Sequence, residues 1–277
     1  MEKVFKKILH IFLGVMFVAG VLVTIYPFMS NFINQITNES HIDDYNNDVA
    51  LMDEQTKNDI LSKAYEYNKM VATDYYLENN DISEKYQEIA NSYDDILNFE
   101  DSLIGYIEIP KISVKLPIYH ETKKYALTMG AIHSQRSSFP IGGSDTHSVI
   151  SAHSAYPSQR FFDDIDELVV GDEFSVKILN DTLTYRVTDI NIVEPSDSSK
   201  LRVQEGKDLV TLCTCYPYSV NTHRLLVTGE RTTDKKSINQ NVKTQNTQSQ
   251  SILEIFVTAG FFVIAYLIVF FVRFCKK

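Results

Sequence analysis

The 277-residue chain has only three cysteines, which excludes a fold held together by a framework of disulfide bonds. It also lacks an excess of positive charge, since 26 lysines and arginines against 36 aspartates and glutamates give a net charge of −10. A general nucleic-acid binder needs a basic surface to neutralise phosphates, so we exclude that class. The sequence contains no G-x-S-x-G motif, which disfavours a serine hydrolase. Its 12% of aromatic residues is too high for a disordered chain.

Long apolar runs occur only near the two ends, at residues 8–29 and 252–272. Each is long enough to cross a hydrocarbon core of about 30 Å. Three lysines precede the first run, and one arginine and two lysines follow the second. This charge bias predicts that both termini are cytoplasmic and that the segment between the runs is extracellular. A cleaved signal peptide is a weaker alternative for the first run, because no small-x-small cleavage site follows it.

The exported segment changes character along its length. His41 to Asn98 contains neither proline nor glycine, and its apolar residues recur near helical spacing, which predicts two or three amphipathic helices. Thr232 to Ser251 is polar and lacks aromatic residues, which is typical of a flexible tether. The predicted organisation is a cytoplasmic N-terminus at 1–7, a transmembrane helix at 8–29, a helical membrane-proximal region at 30–103, a β domain at 104–232, a flexible linker at 233–251, a second transmembrane helix at 252–272 and a cytoplasmic tail at 273–277.

Short β-rich segments separated by turn signals dominate the middle of the chain. They lie at 104–109, 112–118, 147–153, 173–179, 182–193, 208–215 and 222–230. Seven or more short strands within about 130 residues predict a closed barrel or a sandwich. Phe161 to Leu168 is expected to form one short helical turn between strands.

The best candidate for chemistry is Cys215, the last residue of a predicted strand that leads into a loop. Alternation along this strand puts Leu209, Thr211, Cys213 and Cys215 on one face. Arg224 begins the next strand and lies beside Cys215 if the two strands form a hairpin. A cation there favours the nucleophilic thiolate and can hold a carbonyl oxygen. His153 ends another strand and is suited to proton transfer.

Each of these residues also has an ordinary structural interpretation. A strand cysteine can be a small buried apolar residue, a strand arginine can pair with a carboxylate, and a histidine can be a hydrogen-bonded structural residue. A zinc site formed by Cys213, Cys215 and His223 is disfavoured, because no second paired motif accompanies the short C-x-C spacing. The acidic residues show no paired spacing that would indicate a glycosidase.

Taken together, these segments resemble the sortases. Thr211 to Cys215 reads TLCTC and matches the family signature TLxTC, and Asn221 to Gly229 is similar to the segment that carries the family's arginine. His147 to His153 resembles the segment that carries its histidine, and Gly105 to Ile112 resembles its opening strands. The similarity covers about Gly105 to Arg231. Two membrane spans around an exported domain with a helical extension are most like class C sortases, the pilin polymerases of Gram-positive bacteria.

The resemblance implies a mainly β fold: a closed barrel of about eight strands, with an N-terminal helical extension and a transmembrane helix at each end. It implies that Cys215 attacks the Thr–Gly bond of an LPxTG-like sorting signal, that His153 is the general acid and base, and that Arg224 stabilises the oxyanion or holds the substrate. Thr214, Thr222 and Leu212 would contact the substrate. No metal or other cofactor is expected. The partners would be pilin or surface-protein substrates, an amine of a pilin lysine or of a peptidoglycan cross-bridge, and membrane lipid.

One departure concerns the lid that class C enzymes commonly place over the cysteine. Its Asp-Pro-aromatic motif is missing, because His41 to Asn98 contains no proline. Either other residues form a lid, such as Tyr75-Tyr76 or Asn79 to Asp81, or there is no lid. Two alternatives to pilus assembly stay open: anchoring of surface proteins to peptidoglycan, and a non-catalytic exported β domain. A disulfide between Cys213 and Cys215 would be strained and would inactivate the enzyme in an oxidising exterior, so a packing role is favoured for Cys213.

Overall fold

The computed structural model describes residues 2–76 and 91–232. The expected linker, second transmembrane helix and cytoplasmic tail, at 233–277, lie outside the described residues, as do the possible lid residues Asn79 to Asp81. The described residues belong to a single compact unit that spans Met1–Thr233. It consists of two long N-terminal helices and a β-barrel.

Helix α1 spans Glu2–Leu51 without a break and contains Pro27. Within the described residues, it is the one helix that is long and apolar enough to cross a membrane, by length and composition. The expected transmembrane helix at 8–29 and the first part of the membrane-proximal region, residues 30–51, therefore share one continuous helix. The second half of α1 packs on the barrel through four buried residues that recur every three or four positions on one helix face: Asn38, Ile42, Tyr45 and Val49.

Helix α2 spans Glu54–Tyr76. At its start, the Asp53 carboxylate accepts a 2.8 Å hydrogen bond from the backbone N–H of Thr56, which satisfies a donor that the helix leaves free. The face turned to the protein interior carries Ala64, Tyr67, Asn68 and Val71. The Asn68 side chain donates to the carbonyl of Phe139 at 2.9 Å and accepts from its N–H at 2.7 Å. This pair of bonds fixes α2 to a loop of the barrel.

Within the described residues, eight strands close into a barrel, as expected from the sequence. They are β1 Leu103–Ile109, β2 Val114–His120, β3 Ala131–His133, β4 Thr146–Ser151, β5 Glu173–Ile178, β6 Asp181–Val193, β7 Asp208–Tyr216 and β8 His223–Arg231. Their order around the barrel is β1-β2-β3-β4-β7-β8-β6-β5. A short helix α3, Ala126–Met129, precedes β3. The helical turn expected near residue 165 is a 3-10 turn at Ile165–Glu167.

Strand β3 is the element that the sequence pattern did not indicate. It has only three residues, all of them buried, so alternation of apolar and polar residues cannot develop. It nevertheless closes the barrel, because it pairs in parallel with β2 and antiparallel with β4.

Strand β7 lies between β4, to which it is parallel, and β8, to which it is antiparallel. Val210 and Leu212 belong to the hydrophobic core, so the alternate residues Thr211, Cys213 and Cys215 lie on the outer face of the barrel. A chain of hydrogen bonds secures the buried end of this face. The imidazole of His147 contacts the Thr211 hydroxyl at 2.7 Å, and that hydroxyl lies 2.8 Å from the hydroxyl of Thr228.

The connection between β6 and β7 covers this hydrogen-bonded chain. The other ring nitrogen of His147, Nδ1, donates to the carbonyl of Arg202 at 2.8 Å. Burial lowers the pKa of His147, which keeps the ring neutral, so its Nε2 accepts from Thr211. His147 therefore ties the 194–207 connection to the outer face of β4 and β7.

Candidate functional site

Cys215 and Arg224 are direct neighbours across the β7–β8 pair. Opposite residues of an antiparallel pair point to the same side of the sheet, so both lie on the outer face of the barrel. Each side chain is half-buried. The hairpin that the sequence analysis required in order to bring these two residues together is therefore present.

His153 reaches the same place from the other side of β7. The parallel pairing of β4 with β7 sets Ser151 opposite Cys213. The pairing continues beyond β4, because the N–H of Ala152 donates to the carbonyl of Cys213 at 3.1 Å. Extended two residues past the end of β4, the same register sets His153 level with Cys215. The three residues come from three different strand ends that meet at one end of the barrel.

Aromatic rings surround the imidazole of His153. The ring of Tyr156 is stacked on it, with centroids 5.3 Å apart and an interplanar angle of 9°, and Phe161 lies at 6.4 Å. The resulting partial burial lowers the pKa of His153 below its ordinary value of 6.5. A neutral imidazole, which can accept a proton, is therefore favoured at neutral pH.

The guanidinium of Arg224 is oriented by the turn between β7 and β8. Its Nη1 donates to the carbonyl of His223 at 3.0 Å and approaches the carbonyl of Asn221 at 3.5 Å. His223 itself turns to Glu194, with Nε2 and Oε1 3.3 Å apart. The side chain of His223 thus interacts with an acidic residue, whereas that of Arg224 stays on the face of Cys215.

The three residues expected to contact substrate differ in exposure. Leu212 is fully buried in the core, and the buried hydroxyl of Thr214 donates to the carbonyl of Ala152 at 2.8 Å. Thr222 is exposed, and its hydroxyl lies 2.9 Å from Nδ1 of His223. Direct substrate contact remains a prediction for Thr222, whereas Leu212 and Thr214 lack the exposed surface that such contact needs.

Cys213 shares the outer face with Cys215, and both are free thiols. Burial raises the pKa of the Cys213 thiol, although a hydrogen bond with Ser151 and the nearby charge of Arg224 act in the opposite direction. Cys213 is therefore held in its protonated, unreactive form. In residues 2–76 and 91–232, no group of three or more histidine, cysteine, aspartate or glutamate side chains is arranged to hold a metal ion.

Two residues next to the site were not assigned a role by sequence reasoning. The hydroxyl of Ser154 donates to the carbonyl of Cys215 at 2.7 Å. The carboxylate of Asp163 accepts from the N–H groups of Ala155 and Phe161, at 3.0 and 2.8 Å. The only sequence signal for Asp163 was its position eight residues after Ala155, which is weak evidence of a contact. The Ser154 bond had no local signal, because it joins residues 61 positions apart.

The segment from β1 to the end of β8 matches a known domain family. A family model described as Sortase domain matches residues 107–232. Sortase D of Bacillus subtilis is 31% identical over 132 residues, which cover 47% of this chain and 64% of that protein. The chain thus spans slightly less than two thirds of the length of this curated relative.

Solved structures are similar over a larger part of the chain. The crystal structure of sortase C1 from Streptococcus agalactiae is 42% identical, with a TM-score of 0.63, and the match covers 70% of this chain and 99% of that one. The structure of Clostridium perfringens sortase C with the C-terminal cell wall sorting motif is 38% identical, with a TM-score of 0.59. That match covers 70% of this chain and 98% of the other. Each match covers a larger share of the chain than the barrel, residues 103–231, makes up.

Proposed function

We propose that this chain, a member of the sortase family of cysteine transpeptidases, cleaves an LPxTG-like sorting signal and transfers the acyl group to an amine. Within the family it is most similar to class C. The observation that carries the proposal is the register of three strands. Cys215 is opposite Arg224 in one neighbouring strand, and the register of the other, extended two residues past its end, sets His153 level with Cys215. A nucleophile, a proton carrier and a cation thus share one half-buried face.

In the first half-reaction, Sγ of Cys215 attacks the carbonyl carbon of the threonine in the Thr–Gly bond. Its proton passes to His153, whose lowered pKa favours the neutral, accepting form. The guanidinium of Arg224 stabilises the negative charge that develops on the carbonyl oxygen. The C–N bond then breaks, His153 returns the proton to the leaving glycine amine, and the acyl group remains on Cys215 as a thioester.

In the second half-reaction, an amine attacks the thioester carbonyl. His153 takes the proton that the amine loses as the new C–N bond forms, and Arg224 again stabilises the oxyanion. The C–S bond breaks, the sulfur recovers a proton, and an amide is released. Because the first product leaves before the amine reacts, the expected kinetics are ping-pong.

We propose that the enzyme is a two-pass membrane protein with both termini in the cytoplasm and the barrel outside. The apolar first half of α1 supports the first anchor, at 8–29. The second anchor, at 252–272, rests on the sequence pattern and its flanking positive charges. Residues 30–103 would form the membrane-proximal or lid region, 104–232 the catalytic barrel and 233–251 a flexible linker.

For the acceptor, we propose a lysine of a pilin subunit, so that the reaction assembles a pilus. The similarity to sortase C structures over 70% of the chain supports this choice. Anchoring of surface proteins to a peptidoglycan cross-bridge is the alternative. Mass spectrometry of the joined product distinguishes the two, because the new amide carries either a lysine ε-amine or a cross-bridge amine.

Intact-mass spectrometry of the full-length protein with LPxTG-type peptides tests the proposed chemistry. The expected result is an acyl adduct on Cys215 that disappears when an amine is added. Cys215→Ala should abolish the adduct, whereas the matched variant Cys213→Ala should retain it. If the wild type forms no more adduct than Cys215→Ala with any of the peptides, the chain is a non-catalytic β domain and the proposal is wrong.

A further inference from the structure

The membrane-spanning helix touches the loop that follows the candidate histidine. We call residues 154–164 the His153 loop. The Asn34 side chain of α1 donates to the carbonyl of Ser158 at 2.9 Å, and the Asn31 side chain accepts from the N–H of Arg160 at 3.0 Å. Residues three apart lie on one face of a helix, so both bonds hold the same side of α1 against this loop.

The same helix is held firmly against the barrel further along. The hydroxyl of Tyr45 donates to the carbonyl of Ile104 at 3.2 Å and accepts from the N–H of Leu179 at 2.7 Å. Ile42 and Val49 are buried on either side of it. Because α1 is fixed at two levels and has no break between them, the barrel cannot change its position relative to α1 without losing these contacts.

The height of the His153 loop above the membrane follows from the helix rise. If the span ends at Met29, Asn31 and Asn34 lie about 3 and about 8 Å beyond it along the axis, at 1.5 Å per residue. This is the depth of the lipid headgroup layer. In the part of α1 that precedes Asn31, large apolar side chains such as Phe12 and Phe28 do not pack against the rest of the protein and are exposed.

The loop after Cys215 lies beside the His153 loop. We call residues 217–222 the 217–222 loop. Partial burial and the negative charge of the nearby Asp163 raise the pKa of Tyr218, and the positive charge of Arg160 acts in the opposite direction. Arg160 therefore contacts α1 through its backbone and influences Tyr218 through its charge. Tyr218 and Val220 are 57% and 62% exposed. A tyrosine beside an apolar side chain is suited to the interface between lipid and water.

We propose that the His153 loop and the 217–222 loop face the lipid headgroups of the bilayer that α1 crosses, so that Cys215 acts at a fixed, short height above the membrane. This inference rests on the proposed anchoring through α1 and is independent of the sorting signal. The enzyme would therefore select substrates by the distance of the scissile peptide bond from the membrane, and would react with bonds held close to its surface. A scissile bond further from the membrane would react only if the substrate chain around it were flexible enough to bring it back to the membrane surface.

The absence of tryptophan from the chain allows a direct test. Single tryptophans are introduced by Tyr218→Trp, by Ile33→Trp as the positive control and by Leu51→Trp as the negative control, all at exposed positions. The full-length variants are placed in phosphatidylcholine–phosphatidylglycerol nanodiscs that contain a lipid with a nitroxide on its headgroup. Ile33 and Leu51 lie about 6 and about 33 Å beyond Met29 along the helix, so only the first should be quenched.

The expected result is a loss of Tyr218→Trp fluorescence comparable to that of Ile33→Trp. Fluorescence as insensitive to the nitroxide as that of Leu51→Trp would overturn the proposal. Adding Asn31→Ala and Asn34→Ala should reduce quenching at position 218 and leave quenching at position 33 unchanged. If quenching at position 218 is the same with and without these two substitutions, the asparagine bonds do not hold the loop at the membrane. Adduct formation at Cys215 with a soluble peptide is measured on the same samples, so failure of the chemistry is read separately from failure of the membrane contact.

Discussion

The ring of Tyr156 lies almost parallel to that of His153, with 5.3 Å between their centroids. Such a stack contributes about 1 kcal/mol beyond the area that it buries. We expect Tyr156→Leu to release the imidazole and to lower kcat/KM about five-fold, the rate equivalent of that energy. Because burial lowers the pKa of His153, greater exposure should also raise the pKa that defines the acid limb of the pH–rate profile towards 6.5.

The matched variant for this prediction is Tyr156→Phe, which keeps the stacked ring and removes only the hydroxyl. It should retain both the wild-type rate and the wild-type pH profile, measured with a soluble sorting peptide. A loss in Tyr156→Phe as large as that in Tyr156→Leu would show that the hydroxyl, not the stack, is important.

The hydrogen bond from Ser154 to the carbonyl of Cys215 predicts a second effect on activity. A buried hydrogen bond of this kind is worth about 1 kcal/mol, and its loss leaves the carbonyl next to the nucleophile without this partner. We expect Ser154→Ala to reduce the rate of thioester formation about five-fold with little change in peptide affinity. Ser158→Ala is the control, because only the backbone carbonyl of Ser158 is used in its contact with Asn34. Equal rates for the two variants would refute the prediction.

The attachment of α2 predicts an effect on stability rather than on rate. Asn68→Ala removes both bonds to the backbone of Phe139 and leaves a buried donor and a buried acceptor without them. Since each unsatisfied group costs about 1–3 kcal/mol, we expect the free energy of unfolding to fall by about 3 kcal/mol. Denaturant titration of the detergent-solubilised protein measures this change. The exposed substitution Asn58→Ala on the same helix should leave the midpoint unchanged, and a similar midpoint for Asn68→Ala would contradict the prediction.

His133 makes the fold sensitive to acid. Full burial lowers its pKa from 6.5 to about 3. Between these values the unfolded chain binds a proton at His133 that the folded chain does not, so stability decreases as the pH falls below about 6.5. At pH 5 this one histidine should lower the free energy of unfolding by about 2 kcal/mol relative to neutral pH.

The same effect can be assigned to His133 by substitution. Unfolding is measured at pH 7 and pH 5 for the wild type, His133→Gln and His223→Gln. The first substitution should weaken the dependence on pH, whatever its effect on stability at pH 7, and the second, at a partly exposed strand end, should retain it. A pH dependence that is identical in all three proteins would contradict the assignment. His120, His147 and His153, whose pKa values burial also lowers, should add to the acid sensitivity.

The strand ends that form the candidate site could be predicted from sequence because their signals are local. Alternation in β7 fixes which side chains share a face, and the short turn after it brings Arg224 back to Cys215. His153 needed one further step, the parallel pairing of β4 with β7. The resemblance to a known family assigned His153 its role, but neither the resemblance nor the periodicity predicted this pairing.

The contacts that support the site could not be predicted in this way. Ser154 reaches Cys215, and Asn34 reaches Ser158, across separations of 61 and 124 residues. No local pattern records such pairs, because they depend on how strands and helices are arranged in space. The continuity of α1 was missed for a related reason. The change from apolar to polar composition near residue 30 suggested a boundary, but both compositions are compatible with one helix.

Strand β7 is bonded to a neighbour along both edges, and its outer face is tied down by the chain from His147 to Thr228. The barrel therefore determines most of the position of the Cys215 sulfur, and the loops add the single contact from Ser154. Loops can be lengthened, shortened or exchanged during divergence without displacing the reactive atom. Changes in the loops can therefore alter which substrates bind, while the strand that carries the nucleophile keeps its position.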